Sequence, residues 1–270
     1  MLKRFLICCF ASSVTLSLPV QACSKVMKMA IEQWPPYIYT DAKGQPAGLD
    51  IELAKAIFAE AGCKLQIGEE LPRKRRQEMF MRGEIDLMLA ASITPEREAF
   101  SRFTAPYRNE SISLFTTPDK IAKYRNIDGF APILQQKITL LAPNAGWYGE
   151  DYKKHYFWLN EANLISPFET FTQAIKMTAA KRTELLMGDT GAMIYESKLR
   201  NVPIVALPKL IVNDHVRMML SKKSTTEADR QALDDAIARL EKRGVLKKIR
   251  SPYGIALTLV TAPAPSATPQ

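Results

Sequence analysis

Apolar positions along the chain follow two rhythms that alternate. "KVMKMAI" (25–31) and "KLQIGE" (64–69) are short runs of strand length. Between them, Ile51, Ala54, Ile57, Phe58 and Ala61 recur at helical spacing from Asp50 to Ala61, with Gly62 as a stop. Strand, helix and strand in this order predict a βαβ unit, whose strands are parallel and usually neighbours. "LPRKRRQEMFMRG" (71–83) reads as a second helix with Pro72 near its start and Gly83 at its end. "DLMLAA" (86–91) is an unbroken apolar run, as in a parallel strand buried on both faces. Repeated units of this kind predict a doubly wound α/β lobe.

The rhythm restarts after "SISLFTTPD" (111–119), which predicts a second lobe. "KITLLA" (137–142) and "ELLMGD" (184–189) read as buried strands. Between them "SPFETFTQAIKMTAAKR" (166–182) reads as a helix opened by a capping box of Ser166 and Glu169, with Pro167 at the first position. "HVRMMLSKKS" (215–224) then returns to the first lobe. The last helix, 225–244, turns Leu233, Ala236, Ile237 and Leu240 inward and stops at Gly244. The chain is thus expected to cross between lobes twice, near Ser111–Phe115 and Asp214–Met218. The first lobe is expected at 23–112 with 217–255 and the second at 113–216. The Pro- and Ala-rich stretch 256–270 shows no periodicity and is expected to be disordered.

"RGEIDLMLAAS" (82–92) and "AKRTELLMGDT" (180–190) share a plan: a basic helix end, an acid, an apolar strand, then polar residues. Matching Asp86 to Glu184 sets Ala91 opposite Asp189. Ligands of open α/β sheets bind outside the carboxyl ends of strands, so each lobe offers a comparable edge. Beyond the first edge, "ASITPEREAF" (91–100) places Thr94 as a helix cap and Pro95 at the first helical position. Arg97 then falls in the first turn, where the helix already carries partial positive charge. A cation there makes sense if an anion binds beside it. The alternative is a surface pair with Glu96 or Glu98, worth little.

Composition narrows the picture. The 270 residues suffice for two lobes. The start is laid out as a secretory signal peptide over 1–22, with Lys3 and Arg4, an apolar run from Phe5 to Leu18, and Val20-Gln21-Ala22 as cleavage site. Its removal lowers the formal charge of +9 by two, to a moderately basic +7. No block of Lys and Arg interleaved with aromatics suggests nucleic acid, and no later run has the length of a membrane span. Cys8 and Cys9 leave with the signal. Cys23 and Cys63 each precede a strand of the βαβ unit, so they fall at the same end of neighbouring strands, about 4.8 Å apart, within disulfide reach. The rival is a lipoprotein, because "VQAC" loosely resembles a lipobox with Cys23 as the acylated residue.

Four segments together make the chain similar to the family 3 extracellular solute-binding proteins, the polar amino-acid binders of ABC transporters. They are "WPPYIYTDAKGQPAGLDIELAKAI", "GEIDLMLAASITPEREAFSRFTAPY", "LLMGDTGAMI" and the closing helix with "LKKIRSPYG". The resemblance implies a type II periplasmic-binding-protein-like α/β fold of two lobes on a two-strand hinge. It implies no cofactor and no metal, a periplasmic monomer, and an ABC permease as a possible partner. It also implies roles: Arg97 and Ser92 for a ligand carboxylate, Asp189 for its ammonium, Trp34 for stacking, and Gly146 for backbone amides. Ala90 beside Ser92 and Trp147 beside Gly146 complete the expected ligand-binding set, with Arg75. In relatives with a "WPPY" loop, Pro-Trp-x-Arg often opens the next helix. Here Arg73 replaces that tryptophan and Arg75 keeps the arginine. If Arg75 points into the cleft, an acidic ligand is favoured; a solvated basic face accounts for Arg73, Lys74 and Arg76.

The expected function is capture of an amino acid or related small carboxylate between the lobes for ABC-type uptake. Two alternatives share the fold. A free-standing sensor is inseparable from a transport receptor by sequence. A cyclohexadienyl-dehydratase-like enzyme needs a placed acid; neither His155 nor His215 lies in a matched segment, and Glu32, which could reach the cleft, is a single carboxylate.

Overall fold

The structure, a computed structural model, describes residues 23–253. The signal-peptide reading of 1–22 and the disordered-tail reading of 256–270 lie outside them. The first lobe opens with β1 (Met27–Ile31), followed by a loop with two short strands, β2 (Tyr39–Thr40) and β3 (Pro46–Ala47), that pair antiparallel. Helix α1 (Leu49–Glu60) leads to β4 (Leu65–Glu70), which pairs parallel with β1, Met27 opposite Leu65. The expected βαβ unit is therefore present, and Cys23 and Cys63 are joined as a disulfide with their Cα atoms 5.2 Å apart. Closing the intervening loop of 40 residues contributes roughly 4 kcal/mol on the chain-entropy account. Helix α2 (Arg73–Arg82), strand β5 (Leu87–Ala91), the short helix α3 (Pro95–Glu98) and strand β6 (Ser101–Phe103) follow.

Strand β7 (Arg108–Thr116) carries the chain into the second lobe. There α4 (Ile121–Tyr124), α5 (Phe130–Gln135), β8 (Leu140–Pro143), α6 (Glu150–Glu161), β9 (Ile165–Phe168), α7 (Phe171–Ala179), β10 (Leu185–Asp189) and α8 (Thr190–Arg200) succeed one another. Strand β11 (Val205–Ser221) returns, and α9 (Glu227–Lys242) and α10 (Val245–Arg250) close the first lobe. One sheet path, β5-β11-β7-β10-β8-β9, runs through both lobes, with β6 also on β11. The two lobes are joined by β7 and β11, which pair antiparallel from Arg108–Val216 to Thr116–Val205. Beyond that stretch β11 pairs with β5 and β6, while β7 pairs with β10, Ile112 opposite Asp189.

Each lobe has its own core. In the first, the inward face of α1 (Ile51, Ala54, Ile57, Phe58, Ala61) meets Leu233, Ala236, Ile237 and Leu240 of α9, the face the periodicity picked out. In the second, Ile112, Leu114, Leu140, Leu159, Leu185 and Met187 pack together. Three expectations need correction. Strand β5 is not a parallel strand covered on both faces: it pairs antiparallel with β11 at the end of the sheet path, and its positions alternate between buried and half-buried. Ser166 and Pro167 belong to β9, and the helix that follows is capped by Thr170, whose hydroxyl accepts from the Gln173 amide. The returning strand starts at Val205, ten residues before the expected start at His215. Its early part is broken in register between Ala206 and Leu210, around Pro208, which cannot donate to a ladder.

Candidate functional site

The first lobe presents a rigid floor built on a buried ion pair. Asp50, in the first turn of α1, receives Arg108 at both oxygens, Nε–Oδ1 2.5 Å and Nη2–Oδ2 2.9 Å. Both side chains are fully buried. Burial pulls the guanidinium down, but Asp50 outweighs it and leaves Arg108 well above its ordinary value. The same guanidinium lies 4.0 Å from the Tyr37 ring centroid and 5.7 Å from that of Trp34. The loop carrying these rings is pinned at Gly48 (φ 108°), where a β-carbon would sit 2.4 Å from the Tyr37 carbonyl oxygen. Only glycine tolerates that approach and that φ.

On the same lobe, Thr94 caps α3 as expected, accepting from the Arg97 amide at 3.3 Å. The Arg97 guanidinium folds back to give Nη1 to the Ser92 carbonyl at 2.9 Å. Among the described residues its Nε and Nη2 donate to no group. Burial lowers the Arg97 pKa, and the charge of Glu110 acts against that. Ser92 is buried beside it. Ala90 bends into the left-handed region (φ 54°), and its amide donates to the Tyr107 hydroxyl at 2.7 Å.

Asp189 ends β10 as Ala91 ends β5, so the matched strand plans do finish at the same step. Its Oδ1 caps α8, accepting from the Ala192 amide at 2.7 Å, while the buried Oδ2 receives no hydrogen bond. Burial raises the Asp189 carboxyl to about 6, against Arg108, the Ala192 amide and the Tyr37 hydroxyl, which lower it. Tyr37 itself is pushed well up, by burial first and by Asp189 next.

The lobes touch across the cleft. Tyr37 abuts Gly191, Trp34 stacks on Phe171 with centroids 6.3 Å apart, Arg73 Nη1 donates to the Ala145 carbonyl at 2.7 Å, and Lys153 pairs with Glu96 at 3.6 Å. Trp34 keeps its indole N–H buried and unpartnered. Gly146 (φ 135°) lies on the loop that Arg73 reaches, packed against the Tyr148 ring. Trp147 turns toward Lys153, 5.6 Å from its ring centroid. Arg75 is exposed. The arginine of that run which turns inward is Arg76, bonded to Glu32 at 2.5 Å and to the Leu71 carbonyl at 3.0 Å.

The structure thus brings Trp34, Ser92, Arg97 and Asp189 to the facing sides of one cleft, and leaves Arg75 outside it. Sequence reasoning missed Tyr37, Asp50, Arg108, Glu110 and Gly191. Glu110 follows "APY" (105–107) near the end of a quoted segment, so the signal for it was in view. Among the described residues no cluster of His, Cys, Asp and Glu has the makings of a metal site, and no helix is long and apolar enough to cross a membrane.

Comparison with known proteins gives a consistent result. The family described as bacterial extracellular solute-binding proteins, family 3, matches residues 27–255. The amino-acid-binding protein AabA of Dichelobacter nodosus is 22% identical over 233 residues, covering 83% of this chain and 87% of its own. The arginine-, lysine-, histidine-binding protein ArtJ of Geobacillus stearothermophilus superposes with a TM-score of 0.70 at 18% identity, covering 87% of this chain and 97% of its own. An ArgBP of T. maritima superposes with a TM-score of 0.68 at 16% identity, covering 85% and 95%.

Proposed function

Because the chain belongs to the bacterial extracellular solute-binding proteins of family 3, we propose that it is a periplasmic receptor that closes on an α-amino acid and hands it to an ABC permease. The observation that carries this reading is the pairing of two incompletely satisfied charges on opposite lobes. Arg97 keeps part of its guanidinium fork free, and Asp189 keeps one buried oxygen without a donor. A guanidinium presents a planar fork to a carboxylate, and a buried carboxylate oxygen without a donor is costly until a cation arrives. A zwitterion satisfies both at once, with Ser92 beside its carboxylate and Tyr37 and Trp34 as walls. AabA is named as an amino-acid-binding protein, which agrees.

In this reading 23–112 with 217–255 forms one lobe and 113–216 the other, so the carboxylate and ammonium contacts come from different bodies. Binding then favours the closed state by the difference in affinity between the two states. Export rests on the signal peptide read at 1–22, and the receptor acts as a monomer. The dehydratase alternative is the weaker because the named relatives are binding proteins: of the groups that could serve as its acid, Glu32 is tied to Arg76 and Arg73, His155 bonds back to the Asp151 carbonyl on α6, and Glu110 is the cleft acid left for it. Solution scattering with and without amino acids tests the reading. We expect one or more α-amino acids to reduce the radius of gyration with secondary structure unchanged. Binding confirmed by calorimetry with no change in scattering would mean that one lobe alone holds the ligand.

A further inference from the structure

Helix α2 starts with a run of cations that its own N-terminus disfavours. Pro72 is the cap, no acid stands in the first turn, and Arg73, Lys74, Arg75 and Arg76 follow in order. The free amides of a helix start already carry partial positive charge. Among the described residues one carboxylate pairs with this run. Glu32, just after β1, takes Arg76 on Oε2 at 2.5 Å and Arg73 on Oε1 at 3.4 Å. Arg76 is buried and also gives Nη1 to the Leu71 carbonyl of its own lobe. Arg73 stays half exposed and sends Nη1 to the Ala145 carbonyl of the second lobe at 2.7 Å. Of its two contacts, the one across the cleft is the shorter.

The far end of that bond is shaped to receive it. The Ala145 carbonyl also accepts from the Tyr148 hydroxyl at 3.1 Å, so two donors converge on one oxygen. The loop is tied down behind it. The Asn144 amide donates to the Phe168 carbonyl at 2.9 Å, and the Asn144 side chain to Glu169 at 2.6 Å. Gly146 turns at φ 135°, and a β-carbon there would lie 2.7 Å from the Tyr148 hydroxyl. The peptide between Ala145 and Gly146 is trans, so its carbonyl oxygen and its amide hydrogen point opposite ways. Holding the oxygen toward Arg73 turns the Gly146 amide away from it. Among the described residues that amide donates to no group. We propose that Arg73 is a positioning residue: it latches the closed lobes through the Ala145 carbonyl and, by the same bond, fixes which way the Gly146 amide faces. This rests on the receptor reading above and names what holds its closed state.

A bond between lobes needs no ligand to form, so the first test uses none. Dyes at Glu78→Cys on α2 and Lys154→Cys on α6, both exposed positions, report the lobe separation by single-molecule energy transfer. The labelled chain should show a population with its lobes close together. Arg73→Ala should reduce that population at least about threefold, and Arg73→Lys, which keeps a donor, should restore part of it. No such population, or an unchanged one in Arg73→Ala, would overturn the inference. Stopped-flow kinetics with L-arginine, L-glutamine and L-glutamate follow. Each that binds should leave Arg73→Ala faster by one common factor, at least about threefold, with its association rate unchanged, because ligand enters the open protein. Factors that change with the side chain would place Arg73 on the ligand and overturn the inference too. If no amino acid binds, the amino-acid reading falls, and the energy transfer alone decides the latch.

Discussion

The phenol of Tyr37, on the first lobe, rests against the backbone of Gly191 on the second, where a β-carbon would lie 2.3 Å from the hydroxyl oxygen. Gly191 is in the first turn of α8, two residues after the Asp189 cap. Its backbone is not in the left-handed region, so glycine is needed there for space alone.

Gly191→Ala should therefore hinder closure without harming the fold. A methyl forced into a packed contact costs about 1–3 kcal/mol, which corresponds to roughly 5- to 150-fold weaker ligand binding. Alanine suits a helix better than glycine, so the ligand-free melting temperature should hold or rise. Tyr37→Phe, which removes the nearest atom, should restore part of the affinity in the double variant. Calorimetry showing unchanged affinity in the single variant would mean that the lobes do not meet here when ligand is bound.

Removing one member of the Asp50–Arg108 pair should leave a buried charge uncompensated. Asp50→Asn or Arg108→Met is expected to cost about 3–5 kcal/mol, read as a lower urea midpoint at unchanged slope. The double variant should recover part of the loss. A cost below about 1 kcal/mol in either single variant would mean that water reaches the pair.

Much of this architecture was legible in the sequence, because it is written in local period and local punctuation. The inward faces of α1 and α9, the Thr94 cap and the cysteines at like ends of parallel strands all follow from spacing. What was not legible depends on distance or on phase. Asp50 and Arg108 are far apart in sequence, and nothing local to either announces a partner. Ser166 and Thr170 are both capping residues followed by Glu or Gln, and the pairing of β9 with β8 decides between them. Arg75 and Arg76 differ by one helical step, about 100° of rotation, and only the packing of α2 tells which turns inward. Arg97 stood out because it violates a local rule, whereas Glu110 violates none until β7 is placed inside the cleft.

Stability of the ligand-free protein should carry a mark of the two raised carboxyls. Asp189 sits at about 6 and Glu110 at about 8 in the fold, against about 4 for each when unfolded. Between those limits the folded state binds more protons, so this contribution to stability falls as pH rises from about 4 toward 8. Glu110→Gln should show a flatter decline over the upper half of that window, measured as melting temperature against pH without ligand. Parallel profiles for the two proteins would mean that Glu110 is solvated in the empty cleft.

The clamp itself is tested most directly by calorimetric titration of the natural protein, Arg97→Ala and Asp189→Asn with a cognate amino acid and with the same molecule lacking its α-ammonium. Asparagine caps a helix as well as aspartate does, so Asp189→Asn removes charge and keeps α8. Arg97→Ala should lose both ligands, at a cost of at least about 2–3 kcal/mol. Asp189→Asn should lose the amino acid by about tenfold or more and distinguish little between itself and the natural protein for the carboxylate. If Arg97→Ala binds the amino acid with unchanged affinity, or if Asp189→Asn weakens both ligands equally, the zwitterion is not held between these two residues.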